Sequence, residues 1–100
     1  MRVLVICGQG MSTSLLVQNM YRYADEGDVI QAASAGELQD LIDQFDIVLL
    51  GPQIRYKLKS ILNITNRYQV GVAMIDAVAY GHLDGKIAYE QSRALFKAQA

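Results

Sequence analysis

Apolar residues along this chain gather into four short runs, with longer amphipathic stretches between them. Arg2–Ile6 and Ile47–Leu50 are apolar on both faces. Val29–Ala33 is interrupted by Gln31, and Val70–Ile75 completes the set. Strands that are apolar on both sides belong in a parallel sheet with helices over each face. The stretches between them read as helices. Thr13–Tyr23 spaces Leu16, Met20 and Tyr23 helically, with Gly27 as its stop. Ser34-Ala35-Gly36-Glu37 has the spacing of a capping box and opens a helix through Leu38, Leu41 and Ile42. Ile54–Asn66 carries Leu58, Ile61 and Leu62 on one stripe. A last helix after Asp84 is expected to turn Ile87, Ala94, Leu95 and Ala98 inward. Asp76–Leu83 fits either a short helix or a loop.

Strands alternating with helices form β-α-β units with right-handed crossovers. The expected fold is α/β: a single-domain, three-layer α/β/α structure over residues 1–100. Its open parallel sheet takes the strand order 2-1-3-4, which places the two most apolar strands at the centre. The winding direction reverses between those strands, and ligands of such sheets bind at the carboxyl ends of the strands at that switch point. Two loops meet there, Cys7–Ser14 after the first strand and Gly51-Pro52-Gln53 after the third.

Composition narrows the function. The chain has 100 residues, a net charge of -1 and nine basic residues scattered along it. No basic face is available for nucleic acid. No apolar run reaches the ~20 residues needed to cross a bilayer. The start of the chain lacks the form of a signal peptide. The lone cysteine, Cys7, has no internal disulfide partner and suits a reducing compartment. The expectation is a soluble cytoplasmic protein without cofactor or metal.

Cys7 opens the run Cys7-Gly8-Gln9-Gly10-Met11-Ser12-Thr13-Ser14 between a buried strand and a helix. Unpaired amides at a helix start carry partial positive charge, and glycines let them converge on one anion. The same field favours thiolate over thiol. A thiolate here is a nucleophile toward phosphorus, and the hydroxyls of Ser12, Thr13 and Ser14 are placed to donate to phosphoryl oxygens. The competing reading is a packed cysteine beside an ordinary helix cap; the glycines favour chemistry.

Other phosphate loops fit less well. A Walker A loop needs a lysine, and this loop has none. In the dinucleotide fingerprint Thr13 takes the place of the third glycine, and Ser34 stands where an acidic residue should end the second strand. The nearest rival is a low-molecular-weight cysteine phosphatase or an arsenate-reductase-like enzyme. Its loop is C-x5-R-[ST], whereas Thr13 occupies the arginine position here. The missing guanidinium removes a clamp on the transferring group. The chain also lacks the Asp-Pro pair such enzymes use to protonate the leaving oxygen. A loop that holds a phosphoryl group but is poorly equipped to hydrolyse it suits a carrier.

The segment Cys7-x-x-Gly10-Met11-Ser12-Thr13-Ser14-Leu15-Leu16-Val17 resembles the active-site segment of the enzyme IIB component of the bacterial phosphotransferase system, in its lactose/cellobiose (chitobiose) branch. Val48-Leu49-Leu50-Gly51-Pro52-Gln53-Ile54 with Tyr56 is similar to a second hallmark of that branch. Ile75-Asp76, Tyr80-Gly81 and Asp84-Gly85 resemble a third. The resemblance implies that Cys7 accepts a phosphoryl group from a phosphohistidine of enzyme IIA. It implies further that Cys7 passes the group to a sugar of the cellobiose, chitobiose or lactose class held by membrane enzyme IIC. It makes Gly8, Gln9, Gly10, Met11, Ser12, Thr13 and Ser14 the phosphate-binding loop.

Several residues keep two readings. Gln53, Tyr56 and Tyr80 either reach the phosphoryl group or its donor, or shape the rim. Met11 either packs inward or meets a partner. Pro52 fixes the turn after the third strand. Asp76 is expected to cap a helix. Asp25-Glu26-Gly27-Asp28 is expected to be a solvated turn at the opposite edge. His82, the single histidine, is expected at a loop or helix end, so the donor histidine is sought on another protein.

Overall fold

The computed structural model describes residues 1–8 and 11–99, with the backbone alone for Met11 and Ser12. Strands β1 (Arg2–Ile6), β2 (Val29–Ala33), β3 (Ile47–Leu50) and β4 (Gly71–Met74) form one sheet in the order β2-β1-β3-β4. Every neighbouring pair is parallel. The first three strands have the predicted bounds. The fourth is shorter at both ends, although the Ile75 amide still donates to Leu50 O at 2.9 Å.

The two-residue alternation of β1 and β3 builds two cores, one on each face. Val3, Val5, Ile47 and Leu49 pack with Leu16, Met20, Ile75, Tyr80, Ala88 and Tyr89 beneath helices α1 (Met11–Tyr21), α4 (Ala77–Gly81) and α5 (Gly85–Gln99). Leu4, Ile6, Val48 and Leu50 pack with Leu38, Ile42, Phe45, Ile54 and Ile61 beneath α2 (Leu38–Leu41) and α3 (Leu58–Thr65). The eight β1 and β3 side chains from Val3 to Ile6 and Ile47 to Leu50 are fully buried. Each contributes roughly 1.5–3 kcal/mol of hydrophobic stabilisation.

Helix bounds differ from expectation in ways the packing explains. The Ser34 amide and hydroxyl donate to Glu37 Oε1 at 3.1 and 2.9 Å, as the box spacing predicts. The helix it opens is broken into 3-10 turns, Ala35–Glu37 and Ile42–Gln44, on either side of α2. Likewise a 3-10 segment, Pro52–Lys57, kinked at Ile54, precedes α3. Helix α1 begins two residues before Thr13 and ends at Tyr21. Tyr23 therefore lies in a turn and is exposed. Gly27, at φ 90°, serves the following turn instead of ending the helix. Tyr21 uses its hydroxyl on β2, accepting from Ile30 N at 2.7 Å and donating to Ile30 O at 2.9 Å.

The inward face of α5 is not the predicted one. Ile87, Ala94 and Ala98 are exposed, and only Leu95 of the expected set packs on the core. The buried face is Gly85, Ala88, Tyr89 and Ser92. Smallness selects it at Gly85, Ala88 and Ser92, while Tyr89 packs in the core and sends its hydroxyl to Asp28. A Cβ on Gly85 would overlap the backbone of Asn19 and Met20, so α5 starts directly against α1. Ser92 is tolerated there because its hydroxyl donates to Ala88 O at 3.0 Å. Asn19 Nδ2 donates to Leu83 O at 2.9 Å, holding the α4–α5 link where Leu83 adopts a left-handed φ of 51°.

The acidic turn also departs from expectation, because Asp28 is an anchor instead of a solvated residue. It accepts from the Tyr89 hydroxyl, from the Met1 amino group at 3.1 Å and from the Asp25 amide at 3.0 Å. Burial pushes its carboxyl upward, but these bonds outweigh burial and hold it below the ordinary 3.8. Among the described residues no helix is long and apolar enough to cross a membrane.

Two outcomes test this packing. Gly85→Ala forces a methyl into α1 backbone that cannot move aside, and should cost at least about 1–3 kcal/mol in a urea titration. Asp28 binds a proton less readily folded than unfolded, so its contribution is whole above its unfolded value. It is lost as pH falls below 3.8 through the lowered folded value. Asp28→Asn should therefore lower stability at neutral pH and flatten the acid limb of stability against pH.

Candidate functional site

The β1–β3 register pairs Ile6 with Leu50, so Cys7 and Gly51 emerge side by side at the carboxyl edge of the sheet. The ladder continues past the strands, with Gly51 N donating to Ile6 O at 2.8 Å and Cys7 N to Ala33 O at 3.4 Å. Alternation puts the Cys7 side chain on the same face as Val3 and Val5, beneath α1 and α4. Cys7 is only 3% exposed.

The sulfur is buried among hydroxyls as well as hydrocarbon. Cys7 Sγ lies 2.9 Å from Thr13 Oγ1 and 3.2 Å from Tyr80 Oη. Thr13 stands in the first turn of α1, so that helix start is beside the sulfur. Thr13 thus spends its hydroxyl on Cys7 and is not a cap. Gly51 faces the sulfur from the other strand. A Cβ there would lie 3.0 Å from Cys7 Sγ and 3.2 Å from Gln53 Oε1. Clearance and not backbone conformation favours the glycine, since its φ of -66° suits any residue.

Tyr80 is delivered by α4. Asp76 caps that helix, accepting from Ala79 N at 2.9 Å, as its position predicts. Gln91 of α5 braces the approach by accepting from Asp76 N at 3.1 Å and donating to Met74 O at 3.1 Å. Of the two readings the sequence left for Tyr80, reaching into the site or shaping the rim, the inward one fits its position: it is buried with its hydroxyl on the sulfur. Burial first, then the hydrogen bond to Cys7, push that hydroxyl above the ordinary 10.0, while Thr13 and Gln53 pull the other way. The phenol stays neutral and keeps a proton to donate.

Two clefts open beside Cys7 and Gly8. One runs between Thr13 and Ser14 on one side and Ala33 and Ser34 on the other. The second is bounded by Ser34, Gly36, Ile54, Tyr56 and Lys57. Ser14 is exposed at the first cleft, and Tyr56, 76% exposed, stands on the rim of the second. Gln53 is also exposed, with its amide beside the Tyr80 hydroxyl. His82 ends α4 and is exposed. Gln9 and Gly10, and the side chains of Met11 and Ser12, lie outside the described residues. Among the described residues no group of His, Cys, Asp and Glu side chains is spaced to hold a metal.

Sequence reasoning placed Gly51 in the right loop but missed why it is glycine. A glycine directly after the strand that pairs with the cysteine strand was the available signal. Gln91 gave none, being a polar residue in an amphipathic helix.

A thiol between two hydroxyls at the switch point of a small parallel α/β domain is the centre of the candidate site. Comparison with known proteins supplies the family. A family model described as "PTS system, Lactose/Cellobiose specific IIB subunit" matches residues 2–91. The chain belongs to that family, and its members are phosphotransferases of the phosphotransferase system. It is 38% identical to the oligo-beta-mannoside-specific EIIB component of Bacillus subtilis, over 98% of both chains. It is 30% identical to the lactose-specific EIICB component of Staphylococcus haemolyticus, where it covers 88% of this chain and 16% of that one. The cellobiose-specific IIB component from Borrelia burgdorferi, known from a solution structure, superposes with a TM-score of 0.82 at 33% identity, covering 100% of this chain and 94% of that one.

The space at Gly51 is testable. Gly51→Ala should lower stability by about 1–3 kcal/mol and change the alkylation rate of the sole thiol. Gly8→Ala, whose Cβ would only touch Ile54 Cγ2 at 3.8 Å, should stay within about 0.5 kcal/mol of the parent.

Proposed function

We propose that Cys7 is a phosphoryl carrier between a phosphohistidine of enzyme IIA and a sugar held by membrane enzyme IIC. The carrying observation is the Cys7 sulfur itself. It stands at the carboxyl end of a central strand, hydrogen-bonded to two hydroxyls, beside two clefts, in a chain of this family. In the first step the thiolate attacks phosphorus, the P–N bond to imidazole breaks, and the nitrogen keeps the electron pair. In the second, a sugar hydroxyl oxygen attacks phosphorus and the S–P bond breaks, returning the thiolate. Both displacements are in line, and positioning with electrostatic support does most of the work.

The loop from Gly8 to Ser14 holds the phosphoryl oxygens in this reading, with the first-turn amides of α1 as donors. Gln53 and Tyr56 meet the phosphoryl group or the partner that brings it. Hydrolysis is disfavoured: the described residues lining the two clefts include no arginine and no carboxylate to assist water. The relatives named for oligo-beta-mannoside, lactose and cellobiose support a β-linked disaccharide or oligosaccharide as acceptor. The EIICB relatives, whose name joins the two components, support enzyme IIC as a partner. The domain accordingly works in the cytoplasm, at the inner face of the transporter, and needs no cofactor.

Exposure to the phosphorylated carrier cascade should add one phosphoryl group by intact mass. The group should be absent in Cys7→Ser and released by iodine, as a thiophosphate ester is. Sustained turnover of p-nitrophenyl phosphate, or full sugar phosphorylation by Cys7→Ser, would remove the carrier assignment.

A further inference from the structure

Two hydroxyls converge on one buried sulfur, and a neutral thiol does not need both. A thiol is a weak donor and a weak acceptor, whereas a thiolate accepts strongly. We infer that Tyr80 is a catalytic hydrogen-bond donor, which with Thr13 steadies the Cys7 sulfur as thiolate when the phosphoryl group departs for the sugar. The inference rests on the carrier reading of Cys7 and assigns the inner residue that makes its second step favourable.

The geometry carries it. Tyr80 Oη stands 3.2 Å from Sγ and Thr13 Oγ1 stands 2.9 Å from it. Among the described residues these are the side chains hydrogen-bonded to the sulfur. At 3% exposure of Cys7, solvent does little to stabilise a negative charge, which is costly to bury unless hydrogen-bonded. The phenol is held by a braced helix. The Asp76 carboxylate is occupied with Ala79 N, and Gln91 ties the start of α4 to β4. Tyr80 also remains protonated through neutral pH, because burial and the neighbouring sulfur push it upward. Among the described residues, Lys57 and Tyr56 are the other titratable groups lining the two clefts beside Cys7.

The effect differs between the two ends of the step. In phosphocysteine the sulfur shares an electron pair with phosphorus and accepts hydrogen bonds poorly. As a sugar hydroxyl attacks, the S–P bond breaks, that pair returns to sulfur, and the sugar proton passes to a base on the acceptor side. Charge therefore grows where two hydroxyls already stand within hydrogen-bond distance and can donate, which lowers the barrier without tightening the starting state.

The test uses the full chain, and its single cysteine makes the readout single-site. The rate of iodoacetamide alkylation, followed by intact mass against pH, reports the thiol inflection. Tyr80→Phe should move that inflection up by about one to two pH units, the worth of one hydrogen bond to a charged group. Thr13→Val should move it in the same direction, and Tyr89→Phe, at the far edge of the sheet, should leave it in place. Tyr80→fluorotyrosine keeps the ring and strengthens the donor, so it should move the inflection down even if Tyr80→Phe folds poorly. Transfer from the phosphorylated chain to sugar should slow about 10- to 100-fold in Tyr80→Phe. A profile unchanged by the Tyr80 variants, in a chain that carries phosphate, overturns the role of Tyr80 alone. A shifted profile in a chain that never accepts phosphate overturns the carrier reading and this role together.

Discussion

The close approach of β1 and β3 at their carboxyl ends sets the terms for the rest of the molecule. Parallel pairing in register brings residue 7 of one strand against residue 51 of the other. A Cβ at position 51 would stand 3.0 Å from the Cys7 sulfur, so one of the two would have to give way. The absent side chain at Gly51 leaves room for a sulfur atom, and the two-residue period of β1 then decides which face it occupies. That face belongs to α1 and α4, so the atoms meeting the sulfur come from Thr13 and Tyr80. The chemistry of the site is therefore a consequence of sheet geometry before it is a property of any loop.

The support for those atoms is distributed. Tyr80 depends on α4, and α4 depends on the Asp76 cap, the Gln91 bridge and the left-handed Leu83. Leu83 in turn is held by Asn19 of α1, the helix that also supplies Thr13. The two hydroxyls thus arrive on elements that brace one another, and the start of α5 can sit against α1 only because Gly85 has no side chain.

Much of this was legible in the chain, for identifiable reasons. Strands apolar on both faces announce a parallel sheet, and three of the four have the expected bounds. The strand order followed from centrality, and the switch point pointed to the edge where Cys7 emerges. Helical faces were harder. In α5 the apolar residues Ile87, Ala94 and Ala98 suggested a face, yet the buried side is chosen by how closely two backbones must approach. Periodicity records hydrophobicity and is blind to clearance. Asp28 was misjudged for a related reason. Its partners are the Met1 amino group and Tyr89, far away in sequence, and no local pattern reveals them. Tyr80 was named, but its depth was not, because tyrosine serves equally well at a rim or within a core.

The hydroxyl of Tyr21 has a wider consequence. By occupying both the amide and the carbonyl of Ile30, it blunts the outer margin of the sheet midway along its length. An incoming extended segment finds that pair of groups already engaged, so lateral growth of the sheet is discouraged. A strand added at that point would first have to displace the phenol.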